Sequence, residues 1–261
     1  MRGDQEASRC AIVTGSTTGI GLATAVALAR EGSNVLLHGL DPDDSDVVTE
    51  ALRRVRREGG EAEYMRADLR EPQGAAQAIL TRARDRWGRI DIIVCNAAMV
   101  LHEPLEAGTE KAWRDALSVN LLAPVFLVQE AVDDLVASSG CVVMISSTNA
   151  LIANRKNIVY DTSKAALNHA ALNLALELRD RGVRVNTLMP GGTASPSLER
   201  WTVDFAGGEK AARAVLDDAR ERGSLASPDD IAAGVVMLVT DNARWVTGAT
   251  IAIDGGFRLG P

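Results

Sequence analysis

An open α/β domain, with a doubly wound parallel sheet of about seven strands and helices on both faces, is predicted by three features of the 261-residue sequence. Short apolar runs of strand length alternate with longer helical patterns along the whole chain. The first run opens straight into a glycine-rich turn and an alanine-rich helical segment, the order found where a sheet edge holds a phosphate group. No tandem repeat, low-complexity linker or break in composition divides the chain. One domain is therefore expected over residues 9–261, behind a polar, flexible tail over 1–8.

The elements follow in order. Cys10–Val13 is the first strand, and Thr14-Gly15-Ser16-Thr17-Thr18-Gly19-Ile20-Gly21 is the turn before a helix over Leu22–Arg30. Glycines let the backbone approach a pyrophosphate, and the helix start offers free N–H groups to it. Asn34–His38 is the second strand, followed by the acidic turn Gly39-Leu40-Asp41-Pro42-Asp43-Asp44 and a charged helix over Val47–Glu58. Glu61–Arg66 alternates as a third strand and leads to Asp68-Leu69. Pro72 suits the first turn of a helix that reaches Trp87. Ile90–Val94 is the fourth strand, ending in Cys95-Asn96-Ala97-Ala98.

One long helix is expected over Thr109–Leu135, with Asn120 inside its apolar portion and Pro124 disturbing its hydrogen bonding just downstream. Cys141–Ile145 is the fifth strand and stops at Ser146-Ser147. A helix carrying Tyr160 runs to about Arg181, and Val183–Met189 is the sixth strand, ended by Pro190-Gly191-Gly192. Residues from about 192 to 224 form helix and loop over the strand ends. There Leu198, Trp201 and Phe205 form either an apolar lid or a simple packing stripe. A helix over Pro228–Thr240 and a seventh strand over Ala249–Ile253 complete the sheet.

Composition narrows the function. A net charge of −7 and a pI near 5.1 argue against nucleic acid or an anionic membrane as partner, and 3% aromatic residues leave few platforms for stacked bases. The three cysteines, Cys10, Cys95 and Cys141, lie in or beside apolar runs and read as buried, reduced thiols. No cluster with metal-ligand spacing appears, so no metal is expected. The first eight residues lack the apolar core of a signal peptide, and no stretch of about 18 apolar residues occurs, so a cytoplasmic protein is expected.

The chemistry centres on Tyr160 and Lys164, four residues apart on one helical face. Taken alone the pair reads more readily as a chance surface pair than as a site, and the rest of the chain has to overturn that. Moving a tyrosine from a pKa of about 10 to about 7 takes roughly 4 kcal/mol. A lysine about 4 Å away in water supplies about 1 kcal/mol, so a working pair must sit where water is scarce. The glycine turn, Asn96, Ser147 and Pro190-Gly191 all follow strands, and so converge on the carboxyl edge of the sheet. Ser147 precedes Tyr160 by 13 residues, enough for a loop to return its hydroxyl to the phenol. Asp41 lies 20 residues after Gly21, near the distance at which an acid binds a ribose 2′-hydroxyl, although these aspartates also suit a helix cap. The strand-end His38 also lies near that position. With no Lys or Arg in the glycine turn or over 39–46, NAD is favoured and NADP is the alternative.

Over nearly its whole length the chain resembles the short-chain dehydrogenase/reductase family. Thr14-Gly15 through Gly21, Asp68, Cys95-Asn96-Ala97-Ala98, Asn120, Ser147, Tyr160, Lys164, Pro190-Gly191 and Asp254-Gly255-Gly256 occur in the family's order and spacing. The resemblance implies a Rossmann-type fold, a nicotinamide cofactor, a secondary alcohol or ketone substrate and a homotetramer. It implies a catalytic set of Asn120, Ser147, Tyr160 and Lys164, with Lys164 and the nicotinamide cation lowering the pKa of Tyr160 and Asn120 anchoring a water that links Lys164 to solvent. Cofactor contacts are expected from Gly15, Thr17, Thr18, Gly19, Ile20 and Gly21; from Gly39, Leu40 and Asp41; and from Asp68 and Leu69, with Asp68 on adenine. The same expectation covers Asn96, Ala97 and Ala98; Tyr160 and Lys164, the latter holding the nicotinamide ribose; and Pro190, Gly191, Thr193 and Ser195. Two departures stand out: Ala98 replaces a glycine, and Gly192 to Ser195 replace an apolar pair and threonine. Asn34–Pro42 is similar to the same segment of 3-hydroxybutyrate dehydrogenases, which use NAD. Val100, Asn149, Asn157 and Gly192 stand where those enzymes grip a carboxylate, so a hydroxy acid is not expected. The alternative function is a catalytically silent dinucleotide sensor or interaction protein on the same fold.

Overall fold

The structure is a computed structural model that describes residues 8–259. The tail expected over 1–8 lies, apart from Ser8, outside the described residues. Seven strands form one sheet: β1 (Cys10–Val13), β2 (Asn34–Gly39), β3 (Ala62–Arg66), β4 (Ile92–Cys95), β5 (Cys141–Ile145), β6 (Arg184–Pro190) and β7 (Thr250–Ile253). Their order is β3-β2-β1-β4-β5-β6-β7, and every pairing is parallel. The chain therefore winds outward from β1 in one direction and then in the other. The order reverses between β1 and β4, the crevice where such sheets bind ligands.

Successive strand residues point to opposite faces, and two cores result. Cys10 and Ile12 join the first core, against α3 (Pro72–Trp87), α5 (Ala123–Glu130) and α7 (Ile158–Leu178). Ala11 and Val13 join the second, against α1 (Gly19–Arg30), α2 (Asp46–Arg57) and α10 (Pro228–Val239). Burial on both faces explains why β1, β4 and β5 read as unbroken apolar runs. Local signals set the helix ends. Pro72 starts α3 and Gly88, at φ 69°, stops it. Ser45 caps α2 by accepting from the Val48 N–H at 3.3 Å, and Ser227 and Asp230 form a reciprocal box on α10.

The single helix expected over Thr109–Leu135 is instead three: α4 (Glu110–Leu117), α5 and α6 (Val132–Ala137). Between α4 and α5 lies a π-helical turn, Ser118–Leu122, in which the Ala123 N–H reaches back to the Ser118 carbonyl. The distortion is centred on Asn120 rather than downstream of it. Pro124 has no N–H to give the Asn120 carbonyl, so the regular ladder fails there. α1 also begins at Gly19 rather than Leu22, which makes the last glycines of the turn the first turn of the helix. Beyond β6 the chain leaves the sheet as α8 (Pro196–Ala206) and α9 (Glu209–Glu221). It departs and returns through one parallel bridge, Thr193 to Ala226, with Ala226 N–H on the Gly192 carbonyl and Ala194 N–H on the Ala226 carbonyl, both 2.9 Å.

Candidate active site

The glycine turn is held from behind by side chains. Thr14 Oγ1 accepts from the N–H groups of Asn96 (2.9 Å) and Ala97 (3.0 Å). The Asn96 amide nitrogen donates to the carbonyls of Thr14 and Gly15, both at 2.9 Å. Asn96 thus braces the turn and leaves its side-chain oxygen uncommitted. His38 is buried and accepts from the Gly15 N–H through Nδ1 at 3.1 Å, which makes Nε2 the donor to the Ala67 carbonyl at 2.9 Å. Burial lowers its pKa and keeps it neutral, and it ties β2 to the turn rather than facing the ribose.

The glycines are sterically required here. A Cβ at Gly15 (φ 61°) would lie 2.9 Å from Ala97 Cα, and one at Gly21 only 2.2 Å from the Gly15 carbonyl oxygen. Thr18, at the head of α1, makes no side-chain cap, so that helix start keeps its donors for a ligand. Gly19 and Ile20 form its first turn, and Gly19 faces Ser195 across the crevice. These features fit a dinucleotide pyrophosphate.

At the end of β2, Thr17 Oγ1 donates to Asp41 Oδ2 at 3.2 Å, and the Tyr64 hydroxyl donates to the Asp41 carbonyl at 2.9 Å. Gly39 leaves room for both, since a Cβ would stand 3.1 Å from Thr17 and from Tyr64. Leu40 is exposed, and its carbonyl accepts from Arg66 Nε at 2.9 Å. Arg66 is a cation that nothing in the neighbouring residues places beside this turn; the Gly39–Arg66 register brings it there. Asp68 is paired with Arg70, whose guanidinium lowers the carboxyl pKa, and Leu69 is buried beside it. On the far side of the crevice Pro190 ends β6, and the Gly191 N–H donates to the Ile253 carbonyl at 2.9 Å. Thr193 is buried, with its hydroxyl on the Gly191 carbonyl at 3.2 Å. Ser195 caps α8 by accepting from the Leu198 N–H at 3.3 Å, so its hydroxyl hydrogen remains available. Ala98 continues the loop after β4.

Ser147, Tyr160 and Lys164 come together as expected. Ser147 follows β5; its oxygen accepts from the Asn149 N–H at 3.2 Å, and its hydroxyl hydrogen-bonds the Tyr160 phenol. Lys164 is 1% exposed, the largest fully buried side chain among the described residues. Its Nζ donates to the Ile145 carbonyl at 2.9 Å and lies 5.8 Å from the Tyr160 ring centre. Burial pulls the Lys164 ammonium down to about 8, opposed by the Cys95 thiol beside it. Burial likewise pushes the Tyr160 phenol up to about 12, opposed by the Ser147 hydrogen bond and reinforced by Asp161. The expected lowering of Tyr160 by Lys164 is therefore absent in the free chain, where dehydration of the phenol outweighs its neighbours.

Asn120 is fully buried by the π-helical turn. Its Oδ1 accepts from the Met99 N–H at 2.7 Å, and its Nδ2 donates to the Met99 carbonyl and to Ser163 Oγ, both at 2.9 Å. Its side chain thus joins the loop after β4 to the helix of Tyr160. That loop carries a second anchor which the sequence reading missed. His102 Nδ1 lies 2.9 Å from Asn157 Oδ1, just ahead of α7, and the Glu103 N–H donates to the Lys156 carbonyl at 2.8 Å. Trp201 and Phe205 stack on each other at 5.1 Å and 10° and present edges to His102 at 5.6 and 6.0 Å. The stripe predicted on α8 therefore packs against this loop.

Among the described residues no group of three or more His, Cys, Asp or Glu is placed to hold a metal ion, and no helix is long and apolar enough to cross a membrane. Comparison with known proteins agrees with the geometry. A family model described as enoyl-(acyl carrier protein) reductase matches residues 15–258. The chain is 31% identical over 261 residues to 3beta-hydroxysteroid dehydrogenase 1 of Eggerthella lenta, covering 99% of this chain and 97% of that protein. It is 32% identical over 258 residues to glucose 1-dehydrogenase 2 of Bacillus subtilis, covering 97% and 96%. The crystal structure of L-sorbose reductase from Gluconobacter frateurii, complexed with NADPH and L-sorbose, superposes with a TM-score of 0.87 at 25% identity over 95% of this chain and 96% of that one. With its fold, its crevice and its relatives in agreement, the chain belongs to the short-chain dehydrogenase/reductase family.

Proposed function

We propose that the chain is an NAD-dependent oxidoreductase that interconverts a secondary alcohol and a ketone, with Tyr160 as general acid and base. The observation that carries this reading is Lys164. A lysine with 1% exposure and a pKa pulled down to about 8 costs stability, and a buried, perturbed cation beside a phenol is characteristic of a functional site. Dinucleotide binding alone would not require the phenol–ammonium pair. The bound nicotinamide cofactor supplies the hydride acceptor, or the donor in reverse. Tyr160 Oη takes the hydroxyl proton of the alcohol in oxidation and returns it to the forming alkoxide in reduction. Ser147 donates to the same substrate oxygen and fixes its position.

Proton transfer near neutral pH requires a phenol well below the value of about 12 in the free chain. The available positive charges are a protonated Lys164 and the oxidised nicotinamide ring. Asn120 has both amide hydrogens engaged, so a water anchored by this residue would sit on its main-chain carbonyl, which Pro124 leaves without the usual helical donor. The crevice contacts described above, from Gly15 to Ser195, are the proposed cofactor site. The Asp41 carboxylate beside Thr17 favours a ribose 2′-hydroxyl over a 2′-phosphate, and Arg66 is the cation that an NADP-using variant would recruit.

The family resemblance supports a cytoplasmic homotetramer in one domain. Exposed Leu172, Leu176, Trp245, Phe257 and Leu259 provide apolar surface for self-association, which light scattering behind a sizing column would test. The function itself is tested by nicotinamide reduction with a panel of secondary alcohols, each with NAD and with NADP. Tyr160→Phe should lower turnover by about 10²–10⁴-fold while leaving dinucleotide binding measurable. A variant as active as wild type would overturn the assignment.

A further inference from the structure

On the loop after β4 two adjacent side chains each hold a buried polar atom without a partner, His102 Nε2 and Glu103 Oε2. His102 Nδ1 faces the side-chain Oδ1 of Asn157 at 2.9 Å, so in the neutral ring Nδ1 carries the hydrogen and Nε2 is a bare acceptor. Nε2 is inaccessible and unpaired. Asn157 is 1% exposed and lies three residues before Tyr160, while Met99 on the same loop is fixed by Asn120. His102 is thus held in one tautomer by two elements of the catalytic centre. Over it lies the stacked Trp201–Phe205 pair, both on α8, which follows the point where the chain leaves the sheet at the Thr193–Ala226 bridge.

An apolar ligand would leave Nε2 unpaired and would not need the tautomer fixed. An anion would be repelled by the lone pair. A hydroxyl group satisfies it, and the outer face of the stacked Trp201–Phe205 pair suits the C–H face of a ring. Resting on the oxidoreductase reading above, we propose that His102 is a specificity-determining residue. Its Nε2, inaccessible in the free chain, accepts a hydrogen bond from a second hydroxyl of the substrate once α8 gives way, while Trp201 and Phe205 cover the ring. The substrate class is then a cyclic polyol or sugar, oxidised at one hydroxyl and recognised at another.

The test compares kcat/KM for cis- and trans-1,2-cyclohexanediol and a set of aldoses with kcat/KM for cyclohexanol, in wild type, His102→Phe and His102→Gln. Phenylalanine keeps the ring packing and removes the acceptor; glutamine restores an acceptor. The diol-to-cyclohexanol ratio should fall about tenfold or more in His102→Phe and recover at least partly in His102→Gln. A ratio unchanged in His102→Phe overturns the proposal, because a structural role would lower both substrates together. Binding of the same polyols to cofactor-loaded Tyr160→Phe, followed by saturation-transfer NMR, is the second readout. If none binds and none is turned over while open-chain or steroid alcohols are oxidised, the substrate class is overturned and the oxidoreductase reading stands. If no alcohol of any class is oxidised, yet the polyols bind and lose that binding in His102→Phe, the His102 site stands and the oxidoreductase reading fails.

Discussion

Replacing Gly21 with alanine sets two effects of opposite sign against each other. Gly21 lies in the first turn of α1 with ordinary helical backbone, where alanine is intrinsically preferred by up to about 1 kcal/mol. The new Cβ, however, would stand 2.2 Å from the Gly15 carbonyl oxygen, 2.6 Å from Asn96 Nδ2 and 2.8 Å from Ser16 Cα. Two of those atoms are backbone, and the third belongs to a side chain bonded to Thr14 and Gly15, so none can swing aside. Overpacking of this kind costs about 1–3 kcal/mol, and loosening the Asn96 bonds adds about 1 kcal/mol. Set against the helical preference, the net loss is about 1–3 kcal/mol, a fall in melting temperature of roughly 2–12 °C. The displaced turn should also weaken dinucleotide binding by about tenfold or more, read by titration of NADH fluorescence. Gly74, in the first turn of α3 with nothing within 4 Å of an added methyl, is the comparator. Its alanine variant should melt at or above the wild-type temperature. If Gly21→Ala behaves like Gly74→Ala in both assays, the steric account of the turn is refuted.

Three further outcomes are expected. For Lys164, whose folded pKa of about 8 lies below the ordinary lysine value of 10.5, the penalty for burying the charge is complete below pH 8 and vanishes as pH rises to 10.5. The stability advantage of Lys164→Met over wild type in denaturant melts should therefore shrink by about 3 kcal/mol across that window; a difference independent of pH would contradict the assigned burial. Burial raises Cys10 and Cys95 to about 12 and Cys141 to about 11, so a thiol reagent at pH 8 should label none of them until the chain is denatured. Asn120→Leu strands the Met99 N–H and carbonyl and should cost about 2–3 kcal/mol in urea unfolding, whereas a loss near zero would show that Met99 finds other partners.

What could be read from the chain alone depended on whether the cause was local. Cys10–Val13 and Pro72–Trp87 were legible to the residue, because an apolar run buried on both faces and a proline–glycine pair mark their own limits. The break around Asn120 was visible only as a proline. Its place follows from bonds to Met99 and Ser163, residues distant in sequence. Arg66 reads as the last residue of an alternating strand, and only the pairing of β2 with β3 sets it beside Leu40. The Tyr160–Lys164 pair announces itself through spacing, but the direction of its pKa values depends on depth below the surface, which spacing does not encode. His102 carries no local signal at all, since Asn157 and Trp201 reach it from other parts of the chain.

The Thr193–Ala226 bridge has a consequence for how such a chain can change. Residues leave and rejoin the sheet at one point, so the span between them can lengthen, shorten or be exchanged without altering the register of β6 with β7. The half of the crevice around the glycine turn would keep its shape through such an exchange. Substrate preference can thus drift in part as an interchangeable cassette, and a graft of residues 196–225 from a relative, which leaves Ser195 and His102 in place, should shift selectivity toward that relative's.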